Sequence, residues 1–178
     1  MLRPKIIGLC GHPGHGKSEV QRLLELRLGV TPIDDGLPIR KIAMERHGLS
    51  WDDVSTQAGK ARLIEVDGRT TSIREVLGLI GKEFEKTDHA FWARLAISQL
   101  TDAQYPVSLG SVRRTQGEPI IAAGGIVLEI YDPWKTESPF DFDQYDPRFI
   151  TNRISNDEVG LDRLERKVVP VVRAYLES

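Results

Sequence analysis

The feature that most constrains the fold is an apolar run that leads through a glycine-rich segment into a helical pattern. Residues 6–10 are apolar, residues 11–18 contain three glycines, and apolar residues then recur at helical spacing, namely Val20, Leu23, Leu24 and Leu28. A strand, a tight loop and a helix in this order are typical of an α/β protein. The loop is then expected at the carboxyl end of the strand, where α/β sheets bind their ligands.

The glycine-rich segment has the pattern G-x-x-x-x-G-K-[ST], which is that of a phosphate-binding P-loop. Its residues are Gly11, His12, Pro13, Gly14, His15, Gly16, Lys17 and Ser18. Glycines let the backbone approach an anion with its N–H groups turned inward, and the following helix adds the positive end of its dipole. We expect the loop to bind the phosphates of ATP, with Lys17 on the outer phosphates and the Ser18 hydroxyl as a ligand of Mg²⁺. The alternative is a glycine-rich turn without a ligand.

Composition narrows the class of protein. The 178 residues suffice for one domain, expected to span 1–178, and a net charge of −2 without a basic stripe argues against a nucleic-acid polymer as partner. The single cysteine, Cys10, excludes an internal disulfide and is expected to be a buried, inert thiol. Residues 1–4 lead directly into the first strand, leaving no room for a signal peptide, and no apolar run is long enough to span a membrane. We therefore expect a cytoplasmic protein without a membrane partner, and leave the oligomeric state open, with a homodimer as one option.

Strand and helix patterns alternate along the chain. Further strands are predicted at 30–33, 105–109, 126–131 and 149–154, and a capping box at 72–75 opens a helix. Asp88 is predicted to cap the next helix, and residues 155–158 offer a second capping box before the last one. The alternation predicts an α/β fold of three layers, with a parallel sheet and helices on both faces.

Two stretches are expected to move. Residues 36–90 are assigned to a mobile acceptor-side segment, in which 49–71 are polar and weakly patterned with room for one helix. Residues 132–150 are irregular and rich in proline, and form a candidate lid. Arg148 and Arg153 flank this stretch, where they either supply cations to the site or are simply solvated.

Further candidate site residues lie near the ends of the second and third strands. Asp34 and Asp35 follow the second strand and are either ligand-binding carboxylates or a polar turn. P-loop enzymes usually have an acidic residue after the strand beside the loop, whereas Ser108, Gly110 and Ser111 stand there. Because an acid is missing, a protein that binds nucleotide without turnover is a rival hypothesis.

Short motifs in a fixed order suggest a family. Besides the P-loop, they are Pro38-Ile39-Arg40-Lys41-Ile42-Ala43 with Gly48, Arg74-Glu75-Val76-Leu77 with Gly81, Phe91-Trp92, Val112-Arg113, Gly124-Gly125, and Ile154-Ser155-Asn156-Asp157. In this order and spacing the chain resembles the deoxynucleoside monophosphate kinases of bacteriophages and prophages, members of the P-loop nucleoside-monophosphate-kinase group.

The resemblance implies transfer of a phosphoryl group from ATP, with Mg²⁺, to a deoxynucleoside monophosphate. It places Arg74 and Arg113 near phosphates, as catalytic cations beside Lys17, and Trp92 on the acceptor side. We expect Asp35, Arg40 and Arg74 to bind the acceptor as well, with Asp34 or Asp35 as the candidate acid beside it. Trp92 lies on an apolar helix face, so packing in the core is the alternative. Ser111 and Leu37 replace acids of the family pattern, and Gly78 and Lys82 also depart from it. A P-loop kinase for another small acceptor is therefore the second rival.

Overall fold

The computed structural model describes residues 4–101, 105–157 and 160–178. The chain divides into two compact units, one formed by Met1–Asp35 and Ala90–Ser178 and the other by Gly36–His89. The bounds of the second unit nearly coincide with the expected acceptor-side segment 36–90. The mobility and the acceptor role of that segment stay predictions.

The first unit is built on a five-stranded parallel sheet. Its strands are β1 (Ile6–Cys10), β2 (Thr31–Ile33), β5 (Val107–Leu109), β6 (Ile126–Tyr131) and β7 (Asn152–Ser155). Their order in the sheet is β2-β5-β1-β6-β7. The central strand β1 pairs with β5 on one side and with β6 on the other, so that Gly8 lies between Leu109 and Val127. All five residues of β1 are buried, as a central parallel strand requires.

Helices cover both faces of this sheet. They are α1 (Lys17–Leu28), α6 (Phe91–Ser98), α7 (Gly117–Ala122) and α8 (Leu161–Glu177). One core cluster joins the sheet to α1 and α8 through residues such as Leu24 and Val168, and another contains Ala96 of α6 and Ile120 of α7. The predicted three-layer α/β architecture with a parallel sheet is confirmed.

Several boundaries differ from the sequence prediction. The residue before α6 is Ala90, without a side-chain cap, so the prediction that Asp88 caps this helix was wrong. The last strand starts at Asn152 because Pro147–Phe149 forms a 3-10 turn. The capping box predicted over 155–158 includes Glu158, which lies outside the described residues, as do the first three residues of the expected N-terminus.

The second unit has its own core. It contains α2 (Leu37–His47), α3 (Trp51–Ser55), α4 (Gln57–Ala61), α5 (Ile73–Phe84), and the antiparallel strands β3 (Leu63–Val66) and β4 (Arg69–Ser72). The capping box of Ser72 and Glu75 at the start of α5 is present as predicted. The prediction of one helix in the weakly patterned stretch 49–71 was wrong, because two short helices and most of a hairpin occupy it. Asp67 and Gly68 take positive φ values of 50° and 75° in the hairpin turn, for which Asp-Gly is a favoured pair.

Across the described ranges, none of the helices combines the length and the apolar character needed to cross a bilayer.

Candidate functional site

The P-loop lies between β1 and α1, at the carboxyl edge of the sheet. Gly11, Gly14 and Gly16 have φ values of 137°, 80° and 105°, which side chains disfavour. A Cβ on Gly11 would stand 2.2 Å from the carbonyl oxygen of Ile130. The loop is therefore packed directly against the end of β6, and only glycine fits there.

Helix α1 begins at Lys17 without a side-chain cap, so its first N–H groups are left to other partners. The Lys17 ammonium donates to the carbonyl oxygens of Gly11 and His12, at 2.6 and 3.0 Å. Lys17 thus lies along the inside of the loop, and Ser18 is exposed in the first turn of the helix. A cation, a helix N-terminus without a side-chain cap and a tight loop at one place are the elements of an anion site.

The two histidines of the loop hold the chain that follows β6. His15 Nδ1 accepts from the Asp132 N–H and His12 Nδ1 accepts from the Ser138 N–H, both at 3.2 Å. Both imidazoles are buried, and their ring centroids are 5.5 Å apart. Burial, then the neighbouring His12, lowers the pKa of His15, which favours the neutral ring that such acceptance requires.

Lys135 links the segment that follows β6 to the P-loop. The Lys135 ammonium donates to the Gly14 carbonyl at 2.6 Å and pairs with Asp132 at 3.2 Å. The candidate lid 132–150 therefore contacts the P-loop in this structure. Its opening and closing stay predictions.

A buried carboxylate lies on the other side of the loop. The Ser111 N–H, which follows β5, donates to Asp35 Oδ2 at 3.0 Å. Burial raises the pKa of Asp35 to about 6, the Ser111 hydrogen bond opposes this rise, and the nearby Asp34 adds to it. Sequence reasoning looked for an acid after β5 itself, whereas the structure brings one from β2, the neighbouring strand in the sheet.

Arg113 is paired with the 132–150 segment. Its Nη1 lies 3.3 Å from Asp143 Oδ1, and the hydroxyl of Ser138 donates to Asp143 Oδ2 at 2.6 Å. Arg113 remains partly exposed. For this arginine to contact a phosphate, as the sequence predicts, it would have to exchange Asp143 for the phosphate.

A second polar cluster, centred on Glu129 of β6, lies beneath this segment. The Tyr145 hydroxyl donates to Glu129 at 2.9 Å, and Arg153 pairs with both carboxylate oxygens. Burial and Glu129 raise the pKa of Tyr145. Of the expected lid cations, Arg153 is thus held by Glu129, and Arg148 pairs with Asp146 at 2.6 Å.

The thiol of Cys10 lies at the end of β1. Burial raises its pKa to about 12, so the thiol is inert, as the sequence predicts.

The remaining acceptor candidates are held by other contacts. Within the second unit, Arg74 donates to Gln57 at 3.0 Å, and the Arg40 guanidinium lies 5.5 Å from the centre of the Trp51 ring. In the first unit, Trp92 is 4% exposed and meets Phe91 edge to face at 5.0 Å. Stacking of a base on Trp92 would require its ring to be uncovered first.

The loop offers one side-chain ligand for a magnesium ion. The exposed Ser18 hydroxyl is a hard oxygen ligand of the kind that Mg²⁺ prefers. Within the described part of the chain, no three His, Cys, Asp or Glu side chains form a metal-binding group. Magnesium in kinases takes few protein ligands and is completed by water and substrate phosphates, so no such group is needed.

A P-loop after the central strand of a five-stranded parallel sheet, covered by helices on both faces, decides the fold class. The chain has the P-loop NTPase fold. Comparison with solved structures agrees: the fold is similar to that of TT1252 from Thermus thermophilus, with a TM-score of 0.51, 19% identity and 98% of each chain covered.

Further solved structures match this P-loop NTPase chain more loosely. One is the Mycobacterium tuberculosis APS kinase in complex with AMPPNP and APS, with a TM-score of 0.48, 18% identity and 99% of each chain covered. Another is shikimate kinase from Aquifex aeolicus, with a TM-score of 0.46, 15% identity, and 97% of this chain and 99% of that one covered. No protein-family model and no curated protein matches the sequence.

Proposed function

We propose that this protein is an ATP-dependent kinase that transfers the terminal phosphate to a small acceptor, specifically a (deoxy)nucleoside monophosphate. The proposal is carried by two features at the same edge of the sheet. One is a P-loop whose backbone conformation requires glycine, and the other is a buried carboxylate. The loop supplies N–H groups and Lys17, and Asp35 is held at Ser111 by a 3.0 Å hydrogen bond. Phosphoryl transfer requires positioning and charge neutralisation rather than a covalent nucleophile, and this arrangement supplies both.

In the proposed mechanism the N–H groups of the loop bind the donor phosphates, and Lys17 moves from the loop carbonyls to the outer phosphate oxygens. Magnesium, bound by Ser18 and water, would neutralise the charge that spreads over the transferred group. Asp35 is suited to accept a proton or a hydrogen bond from the acceptor, because its pKa of about 6 lies close to neutral pH.

The assignment of the acceptor rests on the arginines. Arg74 and Arg40 are proposed to bind the phosphate of the monophosphate, and Arg113 to contact the transferred group once Arg113 leaves Asp143. A cytoplasmic protein that works on small nucleotides, alone or as a homodimer, is part of the same proposal.

Two alternatives remain. A protein that binds ATP without turnover is favoured by Ser111, which stands where P-loop enzymes usually have an acid. Because Asp35 brings a carboxylate to that position from β2, we prefer a kinase with turnover. A kinase for a different small acceptor is favoured by the raised pKa of Asp35, since an acceptor hydroxyl benefits from a base more than a phosphate does.

A coupled assay of ADP formation tests the proposal with ATP, Mg²⁺ and each of the four deoxynucleoside monophosphates. Turnover that depends on one monophosphate supports the proposed reaction. Tight ATP binding without turnover on any acceptor supports the binding protein instead, and turnover on an unrelated hydroxyl compound supports the other kinase.

Lys17→Ala provides the matching control. Removing the ammonium should abolish the thermal stabilisation of the protein by ATP, because the outer phosphates lose their cation partner. The measurement is the ATP-induced shift in Tm of wild type and variant. An unchanged shift in Lys17→Ala would rule out this site.

A further inference from the structure

We propose that Trp134 is the surface on which the base of the bound nucleoside triphosphate stacks. The inference rests on the proposed function and adds a contact that neither the P-loop pattern nor the resemblance to a kinase family assigns. It concerns the donor nucleotide, and its chemistry is the π-stacking of a heterocyclic base on an indole ring.

Trp134 is both exposed and fixed in place. Its side chain is 82% exposed, compared with 46% for Trp51 and 4% for Trp92. The indole N–H donates to the Asp157 carbonyl at 3.3 Å, and the backbone N–H of Trp134 donates to Asp132 at 3.0 Å. An exposed apolar residue needs no explanation by itself. Here both the edge of the indole and its backbone are anchored, so a large aromatic surface is held in a defined position and left open.

The anchors of Trp134 belong to the two segments that contact the P-loop. Its neighbour Lys135 donates to the Gly14 carbonyl at 2.6 Å. Asn156, the neighbour of Asp157, donates from its side chain to the His15 carbonyl at 3.1 Å. Trp134 and its hydrogen-bond partner Asp157 are therefore each next to a residue that contacts the P-loop.

The order of the strands indicates which side of the loop receives the base. Asp34 and Asp35 follow β2, and Ser111 follows β5, all on one side of β1. These acids mark the acceptor side in the proposed function. Trp134 follows β6 and Asp157 follows β7, on the opposite side of β1. A triphosphate bound in the loop with its outer phosphate towards Asp35 thus has its nucleoside on the side of Trp134.

Stacking predicts a particular selectivity. Every base has a π face, so a stacking surface tolerates several bases, whereas a site of directed hydrogen bonds does not. The indole N–H is already bonded to Asp157, which leaves the ring faces as the contact surface. We expect purine triphosphates to bind more tightly than pyrimidine triphosphates, because the larger ring covers more of the indole.

The test compares binding of ATP and of inorganic triphosphate, each with Mg²⁺, by titration calorimetry. Trp134→Ala should weaken ATP binding about 5- to 150-fold, the range of a lost base–aromatic stack, and leave triphosphate binding unchanged. Trp134→Phe should restore most of the ATP affinity. Trp51→Ala, which removes the other exposed tryptophan, is the matched control and should bind ATP like wild type.

A spectroscopic measurement reports the contact itself. ATP should change the tryptophan fluorescence of wild type and of Trp51→Phe, and this change should be lost in Trp134→Phe. Equal ATP affinity in wild type and Trp134→Ala would overturn the stacking inference while leaving the kinase proposal intact. Wild-type protein that binds neither ATP nor triphosphate would overturn both. Since Trp134 is exposed, an unchanged Tm of the variants verifies that they fold.

Discussion

At the scale of single residues, the loop depends on positions where side chains have no room. Gly11 combines a φ of 137° with a backbone oxygen 2.2 Å from where a Cβ would stand. Gly14 also has a positive φ, of 80°, but nothing lies within 4 Å of its added Cβ. A side chain at Gly11 would meet both a steric clash and backbone strain, whereas a side chain at Gly14 would meet backbone strain alone.

Gly11→Ala is expected to destabilise the protein by more than about 3 kcal/mol, because the new methyl group collides with the Ile130 carbonyl and the backbone must shift. Gly14→Ala should cost only about 1 kcal/mol, the strain of a left-handed residue. Urea denaturation of both variants measures the difference. Equal losses would mean that the contact between Gly11 and β6 is not tight.

Asp35 predicts a dependence of stability on pH. Its pKa is about 6 in the folded protein and near the ordinary value of 3.8 in the unfolded chain, so between these values the folded state binds more protons. The contribution of Asp35 to stability is therefore complete below about pH 4 and is lost as the pH rises through 6.

Asp35→Asn removes this titration. Above pH 6 the variant should be more stable than wild type, by up to about 3 kcal/mol, and the gain should vanish near pH 4. Urea unfolding of both proteins at several pH values measures it. A difference that does not vary with pH would contradict a raised pKa at Asp35.

At the scale of elements, the segment between β6 and β7 is held by contacts that sequence reasoning did not foresee. The P-loop motif and the strand and helix around it could be predicted, because each is local in sequence. The bonds of His12 and His15 to residues 132–138 join positions more than a hundred residues apart. Asp35 and Ser111 are 76 residues apart, and their contact depends on β2 lying beside β5. The hairpin at 63–72 was missed for another reason: its Asp-Gly turn was a usable local signal, but Arg69–Ser72 on one side of the turn is too polar to suggest a strand.

Substitution of Asp143 tests which contacts hold the segment between β6 and β7 in place. Asp143→Ala removes the acceptor of the Ser138 hydroxyl and the partner of Arg113, which should cost about 1–3 kcal/mol locally. Backbone amides near Ser138 and Gln144 should exchange hydrogen faster. Arg148→Ala, which breaks an exposed pair with Asp146, should change little and serves as the control. Unchanged exchange in Asp143→Ala would show that the other contacts alone hold the segment.

At the scale of the whole molecule, the two units have separate cores. Ala43, Val54, Ile73 and Val76 form the centre of the unit Gly36–His89, while Leu9, Leu24 and Val168 belong to a cluster of the other. Because each unit buries its own apolar surface, we expect one unit to unfold locally while the other stays folded. The sequence showed no linker, since the boundaries at 35–36 and 89–90 fall in short turns without a change of composition.

Ile73→Ala tests whether the units open independently. The side chain is fully buried, and the cavity should cost about 2–5 kcal/mol. Hydrogen exchange should accelerate for amides within Gly36–His89 and stay unchanged in β1 and β6. Leu79→Ala, on the same helix but 62% exposed, should stay within about 0.5 kcal/mol of wild type. Equal acceleration in β1 would show that the molecule unfolds as one unit.

The strand order has a consequence for how such a protein diversifies. The turns after β2 and β5 leave the sheet on one flank of β1, and those after β6 and β7 leave it on the other. Under the proposed function, the first flank recognises the acceptor and the second recognises the donor. Mutations in one pair of turns can then change one substrate without altering the other, so selection can adjust the two specificities independently on an unchanged scaffold.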